Sequence, residues 1–199
     1  MRLVPVKTGI VAIPKLLNML RLEGAIVSID AMGCQKEIAK LILDKNANYI
    51  LALKSNQGTL REDVELFTAE QKTNGFQNAT VSQHETVDGD HGRIETRKYT
   101  VFHDISWLKE RHNWPGLNAI VMVESTRETG SKIETGTRFF ITSLKDTADR
   151  IAATIRSHWA IENRLHWVMD MVFRDDDCRV REGNAAAWDD EYLISLAAA

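Results

Sequence analysis

The sequence has few cysteines, no long apolar run and no large excess of one charge. With only Cys34 and Cys178 among 199 residues, a dense disulfide framework is excluded, and no Cys-x2-Cys pair supports a zinc site. No apolar run approaches the roughly 20 residues of a membrane helix. The N-terminal residues have no signal-peptide shape, because Pro5, Lys7 and Pro14 interrupt their short apolar stretch. We therefore expect unpaired thiols in a cytoplasmic protein that does not enter a membrane.

The charge balance is mildly acidic, with 28 Asp and Glu against 25 Lys and Arg, a net charge of −3 and a pI near 6.1. A small nucleic-acid-binding module usually carries a basic excess, so this balance counts against such a module. It does not exclude an enzyme that acts on DNA, because the acidic residues of a metal site would mask a local basic surface in the sum. The 44% hydrophobic and 27% charged content is that of a globular protein.

Two short apolar runs with a helical pattern between them predict a βαβ unit. Residues 25–30 (AIVSID) and 48–56 (NYILALKSN) lack strict alternation, which is typical of strands buried on both faces. Residues 35–46 carry an apolar stripe and predict the connecting helix. This order indicates a parallel pair with a right-handed crossover. Further amphipathic helices are predicted at residues 11–22, stopped by Gly24, and at residues 58–69.

The middle third changes to an antiparallel β pattern. Residues 84–104 alternate and contain a hairpin turn, and residues 117–144 indicate two strands around a turn at Thr129-Gly130. A long helix is predicted at 146–172 and a short final helix at 185–199. The change of pattern predicts an α/β core interrupted by a β-rich insertion, with boundaries at residues 1–69 (core), 70–144 (insertion) and 145–199 (last helix and tail).

Two carboxylates are candidates for a metal site. Asp30 closes the first buried strand, at the sheet edge where open α/β sheets bind ligands. The alternative for Asp30 is a cap on the following helix. Glu162 lies in the long predicted helix, in a row with His158, His166 and Asp170 that is spaced by four and shares one side of that helix. The alternative for the row is a set of structural polar contacts, with Glu162 paired to a neighbouring arginine.

Carboxylates on separate elements suit a hard divalent ion such as Mg²⁺, which also keeps waters and substrate phosphate as ligands. In a two-metal site such carboxylates serve the in-line attack of water on a phosphodiester. Basic and polar residues in the same regions are candidate contacts for nucleic-acid phosphates. These candidates are Lys54 and Asn56 after the second strand, His91, Arg93 and Arg97 in the hairpin, and Arg156, His158 and Arg164 on the long helix. For the hairpin residues a solvated strand face is the alternative.

Several ordered stretches resemble one known family. They include AIVSIDAMGCQKEIAKLILDKNANYILALKSNQGTLREDV, DHGRIETRKYTV, RFFITSL and IRSHWAIENRLHWVMDMVFRDDDCRVREGNA, and the similarity runs from about residue 11 to residue 186. On these stretches the sequence resembles DDE transposases of the ISAs1 group, within the broad IS4-like class, many of which are H-repeat-associated proteins.

The resemblance implies an RNase H-like core, of which this chain would contain a part, with a β-rich insertion before the last catalytic helix. It implies Asp30 as the second Asp of the DDE triad, Glu162 as the Glu, and Mg²⁺ or Mn²⁺ as the cofactor. The implied partners are DNA, in the form of insertion-sequence ends and target, and a second copy or an intact transposase. The implied location is the bacterial cytoplasm, at the nucleoid when DNA is bound.

The sequence departs from the family pattern at three places. Of the Y-x2-R-x3-E-x6-K pattern only Glu162 matches, and His158 stands at the Arg position. The family's first catalytic Asp lies upstream of the SIDAMG segment, and we expect this chain to lack it together with the first core strands, which would leave a sheet edge open. After about Asn184 the ending is off-pattern. We therefore expect little or no transposase activity from the chain alone.

Two other functions stay open. The first is a catalytically inactive remnant that binds DNA or an intact transposase, which predicts salt-sensitive DNA binding without cleavage. The second is a helical metal site formed by His158, Glu162 and His166, which predicts a preference for Zn²⁺ or Fe²⁺ and indifference to Asp30→Asn.

Overall fold

The computed structural model describes residues 8–90, 92–161 and 194–198. These residues form a mixed α/β fold in which seven strands make one sheet, in the order β3-β4-β5-β6-β2-β1-β7. The strands are β1 (Ala25–Ile29), β2 (Asn48–Leu53), β3 (Val81–Asp90), β4 (Arg93–Phe102), β5 (Ala119–Thr129), β6 (Lys132–Thr142) and β7 (Ile194–Ala198). The helices are α1 (Thr8–Met19), α2 (Lys36–Asp44), α3 (Gly58–Thr73), α4 (Ser106–His112) and α5 (Ala148–Ile161).

The predicted βαβ unit is confirmed. β1 pairs in parallel with β2, with Val27 opposite Tyr49 and Ile29 opposite Leu51, and α2 connects the two strands. β2 is buried on both faces, since Tyr49, Leu51 and Leu53 enter one core and Ile50 and Ala52 enter another. This double burial explains why the strand is apolar without alternation.

The antiparallel strands of the middle third are also confirmed, with turns between β3 and β4 and between β5 and β6. They do not form a separate sheet, because β6 pairs antiparallel with β2 from Thr142 opposite Ile50 to Phe139 opposite Leu53. The β-rich region therefore extends the sheet of the βαβ unit. The proposed boundaries at residues 69 and 144 stay a prediction.

Three elements differ from the sequence prediction. α1 ends at Met19, several residues before Gly24, which instead adopts a positive φ of 74° at the entry to β1. α3 continues to Thr73, past the predicted end at residue 69. α4, a helix of seven residues, was not predicted, and it packs Leu108 into the core.

The predicted final helix at 185–199 is wrong for the residues that the structure describes. Residues 194–198 form β7, which pairs antiparallel with β1, with Ile194 opposite Ile29 and Ala198 opposite Ala25. Alanine and leucine favour helices, but backbone pairing along β1 outweighs that local preference. The edge of β1 that was expected to be open is therefore covered in this structure.

The two faces of the sheet carry different helices. α1 to α4 pack on one face around Leu17, Ile38, Ile42, Leu51 and Phe102. α5 packs on the other face, where Ile151, Ala152 and Ile155 meet side chains of β2, β4, β5 and β6. The sheet curls around α5, since Arg156 contacts Asp88 on β3 whereas His158, two residues later, contacts Ser28 on β1. The long helix predicted at 146–172 is confirmed to Ile161, and its remainder lies outside the described residues.

Within the part of the chain described, no helix is long and apolar enough to cross a bilayer.

Candidate functional site

Asp30 lies directly after β1, at the carboxyl end of the parallel pair. Its backbone is extended (φ −67°, ψ 172°), and it precedes a single 3-10 turn, Ala31–Gly33. The Asp30 side chain makes no capping hydrogen bond, and α2 begins only after Gln35. The alternative interpretation of Asp30 as a helix cap is therefore wrong. About a third of the side chain is solvent-accessible, so the carboxylate can receive a ligand.

Lys54 meets Asp30 at the same edge, as the parallel pairing requires. Its Nζ lies 3.5 Å from Oδ1 of Asp30, and its side chain is 63% exposed. An exposed ion pair of this length contributes about 0–1 kcal/mol to stability. The pair therefore holds the carboxylate only weakly, and Lys54 keeps donors for an anion.

Two side chains tie the loop after β2 to the loop after β1. Asn56 Nδ2 donates to the Ala31 carbonyl at 2.6 Å, and Gln57 Nε2 donates to the Cys34 carbonyl at 2.8 Å. The predicted role of Asn56 as a DNA contact stays a prediction, since its amide already serves the backbone beside Asp30. Gln57 was not singled out, because its role depends on the approach of two loops and has no local sequence pattern.

The turn after Asp30 is tightly packed beneath the site. A Cβ on Gly33 would lie 2.4 Å from Cγ2 of Ile29 and 3.0 Å from Cδ1 of Ile13. Only a glycine lets this turn come so close to β1 and α1. The backbone that carries Asp30 is thus held in one position by the core.

His158 brings α5 onto β1 beside Asp30. Its Nδ1 lies 3.0 Å from Oγ of Ser28, and both side chains are buried. Burial lowers the pKa of His158, and the nearby charge of Asp30 opposes that effect. His158 is therefore predominantly neutral near pH 7, and one ring nitrogen is used for helix docking. Its predicted contact with DNA stays a prediction, and Ser28 was missed because the sequence does not show which strand faces α5.

Of the predicted basic residues that the structure describes, Arg93, Arg97 and Arg156 lie on the α5 side of the sheet. Arg97, on β4, contacts Asp88 and lies 2.6 Å from Glu95, and Arg156, on α5, lies 3.2 Å from the same Asp88. Arg93 is exposed at the start of β4, and strand alternation puts it on the same face as Arg97. These arginines therefore lie around one surface. Each ion pair between an arginine and a carboxylate reduces the positive charge that is available to a ligand there.

Several predicted residues cannot be placed. The predicted residues that lie outside the described ranges are His91, Glu162, Arg164, His166, Asp170 and Cys178. The roles assigned to them stay predictions.

The described residues alone do not complete a metal centre. Among residues 8–90, 92–161 and 194–198, no three His, Cys, Asp or Glu side chains come together as metal ligands. Asp30 nevertheless fits one ligand position, because its carboxylate is accessible, is not used as a cap and follows a strand fixed on both faces. A hard cation accepts such an oxygen and takes its other ligands from further carboxylates, water or phosphate.

Curated relatives match most of this chain. It is 38% identical over 182 residues to the H repeat-associated putative transposase YhhI of Escherichia coli strain K12. The matched region covers 89% of this chain and 47% of YhhI. It is 40% identical over 181 residues to the putative transposase YncI of Escherichia coli O157:H7, covering 89% of the chain and 46% of YncI. A protein of Xanthobacter autotrophicus encoded in the dhlA 3′ region is 46% identical over 140 residues, covering 70% of the chain and 45% of that protein.

The chain thus spans about half the length of the curated relatives it matches. No solved structure matches it. The family model described as "Transposase DDE domain" matches residues 8–189, nearly the whole chain. On this match and on the relatives' identities, the chain belongs to the transposase DDE domain family.

Proposed function

We propose that this chain carries two of the metal-binding carboxylates of a DDE transposase, Asp30 and Glu162, within a part of an RNase H-like core. One observation carries the proposal: the Asp30 carboxylate, at the carboxyl end of β1, is accessible and unused as a cap, beside Lys54. The relatives whose names contain the word transposase support DNA as the substrate. The finer assignment to the ISAs1 group belongs to the same proposal.

The proposed chemistry is metal-dependent attack on a DNA phosphodiester. When bound, Mg²⁺ or Mn²⁺ supplies charge that stabilises the attacking and leaving oxygens. The residues of this chain supply the support: Asp30 offers a carboxylate oxygen, Lys54 offers a cation for a phosphate oxygen, and the Ser28–His158 hydrogen bond fixes α5 against β1. Glu162 follows His158 by four residues in the sequence.

Low activity of the chain alone is part of the proposal. Metal sites of this kind use about three carboxylates from separate elements, and only two are assigned here. Metal binding, rather than DNA cleavage, is therefore the property that tests the site.

The test is a thermal melt of the whole chain with increasing Mn²⁺. A ligand that binds only the folded state stabilises it by about 2.7 kcal/mol at one hundred times its Kd, which raises Tm by several degrees in a domain of this size. We expect this rise in the wild type and not in Asp30→Asn or Glu162→Gln. Asp104→Asn, an exposed carboxylate near α4, is the matched control and keeps the rise. An equal rise in Asp30→Asn, or none in the wild type, contradicts the proposal.

The helical metal site of His158, Glu162 and His166 is less well supported. Nδ1 of His158 is bonded to Ser28, and the side chain is buried against β1. A Zn²⁺-specific stabilisation that survives Asp30→Asn would favour that function.

A further inference from the structure

A groove of about 440 Å³ lies between α5 and the outer parts of β4, β5 and β6. Its charged lining residues are four arginines and two glutamates, namely Arg97, Arg127, Arg138, Arg156, Glu95 and Glu134. Glu134 lies 2.6 Å from Lys132, so its charge is already balanced. The groove therefore has a positive excess although the chain as a whole is acidic.

Ion pairs orient Arg97 and Arg156 in the groove and a ring contact orients Arg138, whereas the longer pair of Arg127 holds it only weakly. Arg127 lies 3.7 Å from Glu95, which also contacts Arg97, and Arg97 shares Asp88 with Arg156. This alternating chain of charges contains three cations and two anions. Arg138 lies over the ring of Trp159, 4.6 Å from its centroid. Preorganised guanidinium groups are suited to phosphate oxygens because they can donate two hydrogen bonds at once.

Neighbouring strands connect one end of the groove to Asp30. β2 and β6 pair up to Leu53 opposite Phe139, so Lys54 and Arg138 are the next residues on these neighbouring strands. Alternation puts both side chains on the α5 face, on which Phe140 and Ala52 also lie. Lys54 contacts Asp30. Positive side chains therefore extend from the neighbourhood of Asp30, by way of Lys54 and Arg138, to Arg127.

We propose that this groove binds the sugar–phosphate backbone of a DNA strand that leads away from Asp30, with Arg127 and Arg138 as direct phosphate contacts. The proposal rests on the proposed function for the identity of its ligand. It assigns a role to two arginines that the sequence did not single out. Arg127, with 46% of its side chain exposed, is open to a ligand without a change of the fold.

The test is binding of a labelled DNA duplex to the whole chain, followed by fluorescence anisotropy in EDTA at several salt concentrations. Each lost phosphate contact reduces the slope of log K against log salt by about 0.9. We expect Arg127→Gln and Arg138→Gln each to weaken binding several-fold at low salt and to reduce the slope by about that amount. Arg138→Lys, which keeps the charge, is expected to keep the slope.

Arg111→Gln is the matched control, because Arg111 is an exposed arginine 3.0 Å from Asp63 on α3, on the other face of the sheet. The control should change neither affinity nor slope. A melting curve of each variant shows whether that variant is folded. If Arg138→Gln does not fold, the binding of Arg127→Gln alone tests the proposal.

Groove variants that bind like the wild type, an Arg111→Gln variant that loses as much affinity as they do, or a wild type that binds no DNA at low salt would each overturn the proposal. The absence of metal from this assay separates it from the Mn²⁺ melt. If the chain shows no Mn²⁺ response but still binds DNA through the groove, the result contradicts the proposed metal site and leaves the groove proposal standing.

Discussion

The buried hydrogen bond between Ser28 and His158 links two elements of the candidate site at the level of single atoms. Burial lowers the pKa of His158 from its ordinary value of 6.5. The folded chain therefore favours the neutral imidazole, whereas the unfolded chain takes up a proton once the pH falls below about 6.5. The stability contributed by neutral His158 is complete above that pH and is lost as the pH falls through and below it.

We predict that acidification destabilises the wild type more than His158→Asn. The asparagine amide can still bond to Ser28 but does not titrate. The free energy of unfolding is measured with urea at about pH 8 and about pH 5.5 in EDTA, where linkage makes the difference visible. His103, whose pKa is also lowered by burial, is present in both proteins, so its contribution cancels. An equal loss of stability in the two proteins would show that His158 is not held neutral.

At the scale of elements, the core constrains the turn after β1 closely. Gly33 leaves no space for a side chain between Ile29 and Ile13. We predict that Gly33→Ala lowers the free energy of unfolding by about 1–3 kcal/mol, the usual cost of overpacking. Urea denaturation measures the change.

Gly58→Ala is the matched control for this prediction. Gly58 begins α3, and nothing lies within 4 Å of the position of its added Cβ. Alanine there should leave stability unchanged or raise it by up to about 1 kcal/mol, because alanine favours the helix. A Gly33→Ala variant as stable as Gly58→Ala would sink the packing argument.

The elements that could be predicted from the sequence are those whose burial is local. β1 and β2 are apolar on both faces, and α2 has one apolar stripe, so the βαβ unit and the place of Asp30 beside Lys54 follow from pattern alone. Residues 194–198 were predicted as helix from their local composition, because their pairing with β1 involves a segment that is distant in the sequence. Arg127 and Arg138 were missed for a similar reason: their common face becomes visible only once the register from β4 to β6 is known.

At the scale of the whole molecule, one core holds a cysteine that reports on global opening. Cys34 is fully buried, and burial raises the pKa of its thiol to about 12. The thiolate is the reactive form, so the native protein should protect Cys34 from alkylation. Exposure then requires opening of the core between α2 and the sheet.

We predict that Cys34 in a Cys178→Ser background reacts with a thiol reagent only slowly under native conditions and completely in urea. The labelling rate is followed by mass spectrometry across increasing urea and should rise in step with unfolding measured by circular dichroism. Rapid labelling without denaturant would contradict the burial of Cys34.

The order of the strands also affects how the chain is made. β1 leaves the ribosome well before residues 194–198, which form its neighbour β7, and β2 waits for β6 to cover its other side. Until those segments emerge, the nascent chain presents unpaired strand edges beside an apolar core, the state in which chaperones are needed and aggregation competes. Pairings so distant in sequence also slow folding. Production of this chain should therefore depend on translation rate and chaperone supply.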